Sequence, residues 1–178
     1  PDVDGSVRQE GLLVHFDGFA VPSMGLVIAA NSLNLTASDM QLLPGEGVQL
    51  GRSLIPTDDA ARLLPQFYPD RDGKVAFAVD SFYDVLSGRI PASKYADKIV
   101  IIGATAAGVG TPFTTPLAQA LTPAQIVAHT TSSILQNHFI AQPVWSGLAV
   151  VASLLLVLAH LLWVLPRLSA SQGAWASG

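Results

Sequence analysis

The chain has no cysteine among its 178 residues. That excludes disulfides, thiolate catalysis and cysteine-ligated metal, and it fits an oxidising or a reducing compartment equally well. Histidine is sparse and badly spaced for a metal. His15, His129, His138 and His160 form no H-x-x-x-H or H-E-x-x-H pair, so a zinc site is not expected. No G-x-S-x-G elbow marks a hydrolase nucleophile. Residues 103–111 (GATAAGVGT) begin with the glycine spacing of a phosphate loop, but Val109 stands where a lysine would meet the phosphates. Asp58, Asp59, Asp70 and Asp72 miss the calcium-loop spacing and read as solvated turn carboxylates. No cofactor, metal or catalytic residue is expected, and no enzymatic activity.

A basic surplus is also missing. All thirteen carboxylates lie at or before Asp97, and eight of the nine lysines and arginines lie ahead of Gly147. That region therefore carries about −5, which argues against nucleic acid or an anionic lipid surface as its main partner.

One long apolar run dominates what is present. Residues 147–165 (GLAVVASLLLVLAHLLWVL) hold no residue charged at neutral pH when His160 is neutral. As a helix they span roughly 28 Å, close to the hydrocarbon thickness of a bilayer. Trp145 and Trp163 stand near the two ends, where amphipathic rings favour the headgroup level. A signal peptide is N-terminal, which this run is not. His160 and Ser153 inside it predict a contact with another helix. Arg167 is the one cation after the run and none lies in the twenty residues before it, which puts the C-terminal side in the cytoplasm. The expected layout is an extracytoplasmic domain over residues 1–143, a membrane helix over 144–166 and a polar segment over 167–178. The start at Pro1 and the small polar tail lead us to expect a piece of a longer protein, with an output beyond Gly178.

Within the domain, residues 1–8 (PDVDGSVR) read as a turn. Residues 11–16 and 19–21 read as a hairpin through Asp17-Gly18, followed by a helix from Pro22 or Ser23 to about Leu33. Short strands are expected over 48–55 and 61–68, with a turn at Pro44-Gly45 and Glu46-Gly47. The apolar runs 75–79 (VAFAV) and 98–103 (KIVIIG), separated by a short helix after Asp80 or Ser81 that ends at Gly88, predict a βαβ unit. The fold class expected is α/β, with a mixed, partly parallel sheet and flanking helices. Thr122-Pro123 predicts a helix start, with Ile126, Val127, Thr130, Ile134 and Leu135 inward to about Gln136. His129 reads as a satisfied interior group, with a pH-responsive role as the alternative.

Four stretches resemble the second-type CHASE domain, the cyclase and histidine-kinase associated sensory extracellular domain. They are PDVDGSVR, DSFYDVLSGRIP (80–91), DKIVIIGATAAGVGTPFTTP (97–116) and the helix from Pro123 to Phe139, with the membrane run following as in that family. The chain departs from the family at Gly110-Thr111, where an Asp is usual, at Ala124, usually Gly, and at His129, usually Asn. The resemblance implies a signal-sensing domain of a bacterial transmembrane receptor in the inner membrane, on the periplasmic side. The missing output would be a histidine kinase of a two-component system or an adenylate cyclase. A non-sensing dimerisation or envelope-protein module is the alternative. Expected partners are membrane lipid, a second copy and an unknown small-molecule or protein signal. Gly103, Thr105, Thr111, Thr114 and Thr115 are the ligand-binding candidates. His129, Pro143 and Val144 are the relay candidates.

Overall fold

A computed structural model describes residues 2, 4–70, 75–105, 111–117, 120–140 and 145–164. The chain divides into two compact units, Pro1–Ala141 and Gln142–Gly178.

In the first unit, strand β1 (Glu10–Gly11) is separated by the fully buried Leu12 from β2 (Leu13–Phe16). β2 pairs antiparallel with β3 (Phe19–Pro22), Val14 against Val21 and Phe16 against Phe19. The turn is the expected one: Asp17 and Gly18 both take positive φ, as a two-residue hairpin loop requires. Pro22 ends β3, so the helix starts one step later than its sequence suggests. α1 (Met24–Ser32) begins after Ser23, whose hydroxyl accepts the Leu26 N–H at 3.3 Å.

β4 (Met40–Leu43), β5 (Gly47–Leu50) and β6 (Ser53–Pro56) form a three-stranded antiparallel meander. The single strand expected over 48–55 is thus two strands, because Gly51 takes φ 57° and reverses the chain between Leu50 and Ser53. β7 (Arg62–Leu63) pairs antiparallel with β1, a shorter strand than the run 61–68 suggested.

α2 (Phe82–Leu86) forms where expected and ends before Gly88 at φ 75°. Ser81 precedes it without a side-chain cap bond, and Asp80 instead binds Lys94 and Tyr95 at 2.8 and 2.7 Å. α3 (Pro123–Gln136) has the bounds its sequence predicts. Thr122 and Gln125 form a reciprocal capping box, and Asn137 closes the helix in the left-handed region at φ 53°.

The expected βαβ unit does not form among the described residues. Val75–Val79 and Lys98–Gly103 carry no strand. A parallel strand needs paired edges and two covered faces, whereas Val79 is 64 % exposed and Ile102 72 % exposed. The sheets are antiparallel, and parallel pairing among the described residues is confined to one isolated bridge, Ser6 with Thr114. The fold is mixed α/β with small antiparallel sheets and helices.

The core forms where α1, α3, the meander and β7 converge. Leu26 and Ala30 of α1, Val48 and Leu50 of β5, Leu63 of β7 and Ile134 of α3 are its centre. α1 and α3 touch closely: a Cβ at Gly25 would stand 3.0 Å from Thr130 Cγ2. On α3, Ile126, Thr130 and Ile134 are buried as expected, and Val127 and Leu135 are half-buried.

In the second unit, α4 (Ser146–Ala159) continues into a π-helical turn, His160–Val164. Ser146–Trp163 is long and apolar enough to cross a membrane by length and composition. Ser153 donates its hydroxyl to the Val150 carbonyl at 2.7 Å, satisfying it within its own helix.

Candidate relay site

α3 and the chain leaving it are held by a segment, residues 64–68, that follows β7. Ser133 faces this segment and makes both its bonds there. Its Oγ accepts the Gln66 N–H at 2.9 Å and donates to the Gln66 carbonyl at 3.1 Å. One turn earlier on the helix, His129 Nδ1 accepts the Tyr68 N–H at 3.1 Å. After the helix, Tyr68 Oη meets His138 Nδ1 at 3.2 Å, Pro65 bridges Phe139, and the Ile140 N–H donates to the Leu64 carbonyl at 3.3 Å. Ser53 donates to Asn137 Oδ1 at the helix end. The second half of α3 and its exit are therefore clasped along their length.

His129 is buried within this clasp among aromatic rings. Its ring centroid lies 4.8 Å from Phe77, 5.3 Å from Phe67 and 5.9 Å from Tyr68, the last nearly parallel. Burial pushes its pKa below the ordinary imidazole value, and the Asp70 carboxylate partly offsets that. A neutral ring that accepts at Nδ1 carries its proton on Nε2. The next residue, Thr130, is fully buried and donates to Glu10 Oε2 on β1. Burial raises the Glu10 carboxyl, and the Thr130 bond pulls it the other way.

A second cluster joins the N-terminal turn to residues 111–117. Arg8 forks onto Asp2 at 3.0 Å and Asp4 at 2.7 Å, and Asp4 also accepts from the Ser6 backbone and hydroxyl. The Arg8 guanidinium holds the Asp4 carboxyl far below the usual range. The ordered turn then pairs with Thr114, whose carbonyl accepts the Val7 N–H at 2.7 Å.

The ligand-binding candidates have different neighbours. Thr114 pairs with the N-terminal turn, and Thr115 is buried beside it in sequence. Gly103 lies against the first turn of α3, where a Cβ would come 2.5 Å from Ala124 Cβ. Thr105 and Thr111 are exposed. Of the relay candidates, His129 stands at the centre of the clasp. Pro143 and Val144 lie outside the described residues, as do 106–110 of the glycine-rich loop. Sequence reasoning did not single out Ser133, Gln66, Tyr68 or Glu10. The available signal was the run of hydroxyls on the inward side of α3, since buried hydroxyls require partners.

The molecule is an α/β domain followed by a helix of membrane-crossing length, with its last domain helix pinned at its exit. The family model of the CHASE2 domain matches residues 1–168, and the chain belongs to that family. CHASE2 domains are extracytoplasmic sensory domains, and membership implies sensing rather than catalysis. No curated protein and no solved structure matches the chain.

Proposed function

We propose that this domain senses a stimulus outside the bacterial inner membrane and relays it through α3 and its exit to the membrane helix. The output it serves is a cytoplasmic kinase or nucleotide cyclase. The observation that carries this reading is the clasp: segment 64–68 binds both α3 and residues 138–140, next to the membrane-directed part of the chain. A stimulus acts only if it favours one arrangement of that grip over another. Gly103 against the first turn of α3 and Thr114 at the N-terminal turn are where a small ligand would bias the helix, with Thr105, Thr111 and Thr115 near them in sequence.

The test is a flexible Gly-Ser insertion after Pro143 in the intact receptor. Loss of regulated output with retained basal output is expected, and unchanged signalling would refute relay through the joint. The melting temperature of the whole chain across a metabolite, metal and pH panel addresses the stimulus.

An assembly role is the second reading, favoured by one observation. Val14, Phe16, Phe19 and Val21 share one face of the β2–β3 hairpin and are all exposed. Concentration-dependent dimers with no ligand effect on melting would favour it. A dimeric sensor on membrane lipid satisfies both readings.

A further inference from the structure

We propose that the clasp is an acid-released latch, in which protonation of His129 Nδ1 expels the Tyr68 N–H and frees the exit of α3. The proposal rests on the relay reading only for its consequence, since it specifies the proton as a regulator of that grip.

The geometry makes the two imidazoles of the clasp unequal. Tyr68 meets His138 through its hydroxyl, which can donate or accept. A hydroxyl can therefore partner that ring nitrogen as donor or as acceptor. Tyr68 meets His129 through its backbone N–H, which can only donate. A proton on Nδ1 therefore sets N–H against N–H in a buried place, and the backbone group loses its acceptor.

Among the described residues, the surroundings offer a buried imidazolium little compensation. Phe67 and Phe77 bring no charge. From the 64–70 segment the titratable neighbours are the Tyr68 phenol and the Asp70 carboxylate. Asp70 already accepts the Ala76 N–H at 2.9 Å. From the exit there is His138. From β1 there is Glu10, bound to the neighbouring Thr130 rather than to His129. α1, which packs on the other side of α3, has no titratable side chain. Asp70 favours the cation and burial opposes it more strongly.

Linkage fixes the direction. The folded-state pKa of His129 lies below its unfolded value, ordinarily about 6.5. The stability it contributes is complete above that value and is lost as pH falls through the folded pKa. Acid therefore opens the latch. Segment 64–68 makes successive bonds to Ser133 and to the exit, so losing the Tyr68 bond weakens a contiguous strip.

The test is amide hydrogen exchange of the full chain in detergent at about pH 7.5 and about pH 5.5, corrected for the intrinsic rate. Peptides covering 64–68 and 137–140 are expected to open about tenfold more at the lower pH, with the β5–β6 hairpin unchanged. His129→Gln keeps an acceptor without a titrating proton, and its clasp is expected to be indifferent to pH. Opening that ignores pH in the unmodified chain, or that follows pH equally in His129→Gln, overturns the latch. If the variant does not fold, the imidazole nitrogen spectrum of the unmodified chain decides. His129 staying neutral at pH 5 overturns the latch, and protonation in step with opening supports it. The linker insertion separates the two ideas. An acid-indifferent clasp with linker-sensitive output removes only the latch, and an acid-opened clasp with linker-insensitive output removes only the relay.

Discussion

Ser133 and Glu10 show what single side chains on or beside α3 contribute. Ser133 Oγ satisfies both backbone groups of Gln66, so Ser133→Ala leaves a donor and an acceptor without partners. The expected cost is about 1–3 kcal/mol, seen as a lower melting temperature with the fold retained. Glu10 is a half-buried carboxylate whose only described side-chain bond is from Thr130. Its pKa is raised, so its contribution is fully present below about pH 4.5 and is lost as pH rises through the folded value. Glu10→Gln keeps the acceptor and removes the charge. It is expected to raise the melting temperature at neutral pH, with the gain vanishing near pH 4. Neither role was legible locally. His129, by contrast, drew notice as an imidazole among apolar neighbours, although its aromatic surroundings come from residues far off in the chain.

Among the elements, those specified by short-range chemistry matched their sequence. α3 starts at Thr122-Pro123 and closes at Asn137, and the β2–β3 turn sits on Asp17-Gly18. The apolar runs 75–79 and 98–103 failed as strands because an apolar run does not name its partner strand. The packing of α1 on α3 depends on a close approach at Gly25, whose Cβ position lies 3.0 Å from Thr130 Cγ2. Thr130 cannot yield freely, because its hydroxyl holds Glu10. Gly25→Leu is expected to force the helices apart at a cost of about 1–3 kcal/mol, and chemical denaturation measures it. A cost within error of zero would mean that the contact is loose.

At the scale of the whole molecule, the sensor unit is acidic and the second unit is an apolar helix. The absence of cysteine makes their topology directly testable. A single Asp59→Cys in intact cells is expected to react with a membrane-impermeant maleimide, and a single Ser169→Cys only after lysis. The reverse pattern would place the domain in the cytoplasm and overturn the sensing direction. The membrane-length helix, the acidic balance, the caps of α3 and the hairpin turn were all determined by the sequence, because each depends on composition or on groups within about four residues. Only the tertiary structure decided that residues 64–68 grip α3, that Thr130 holds Glu10, and that Thr114 meets the N-terminal turn. Those partners are separated by 61 to 120 residues where His129, Ser133 and Glu10 are concerned. Their meeting follows from which apolar surfaces bury one another, a choice made by the collapsed chain as a whole rather than by any local pattern.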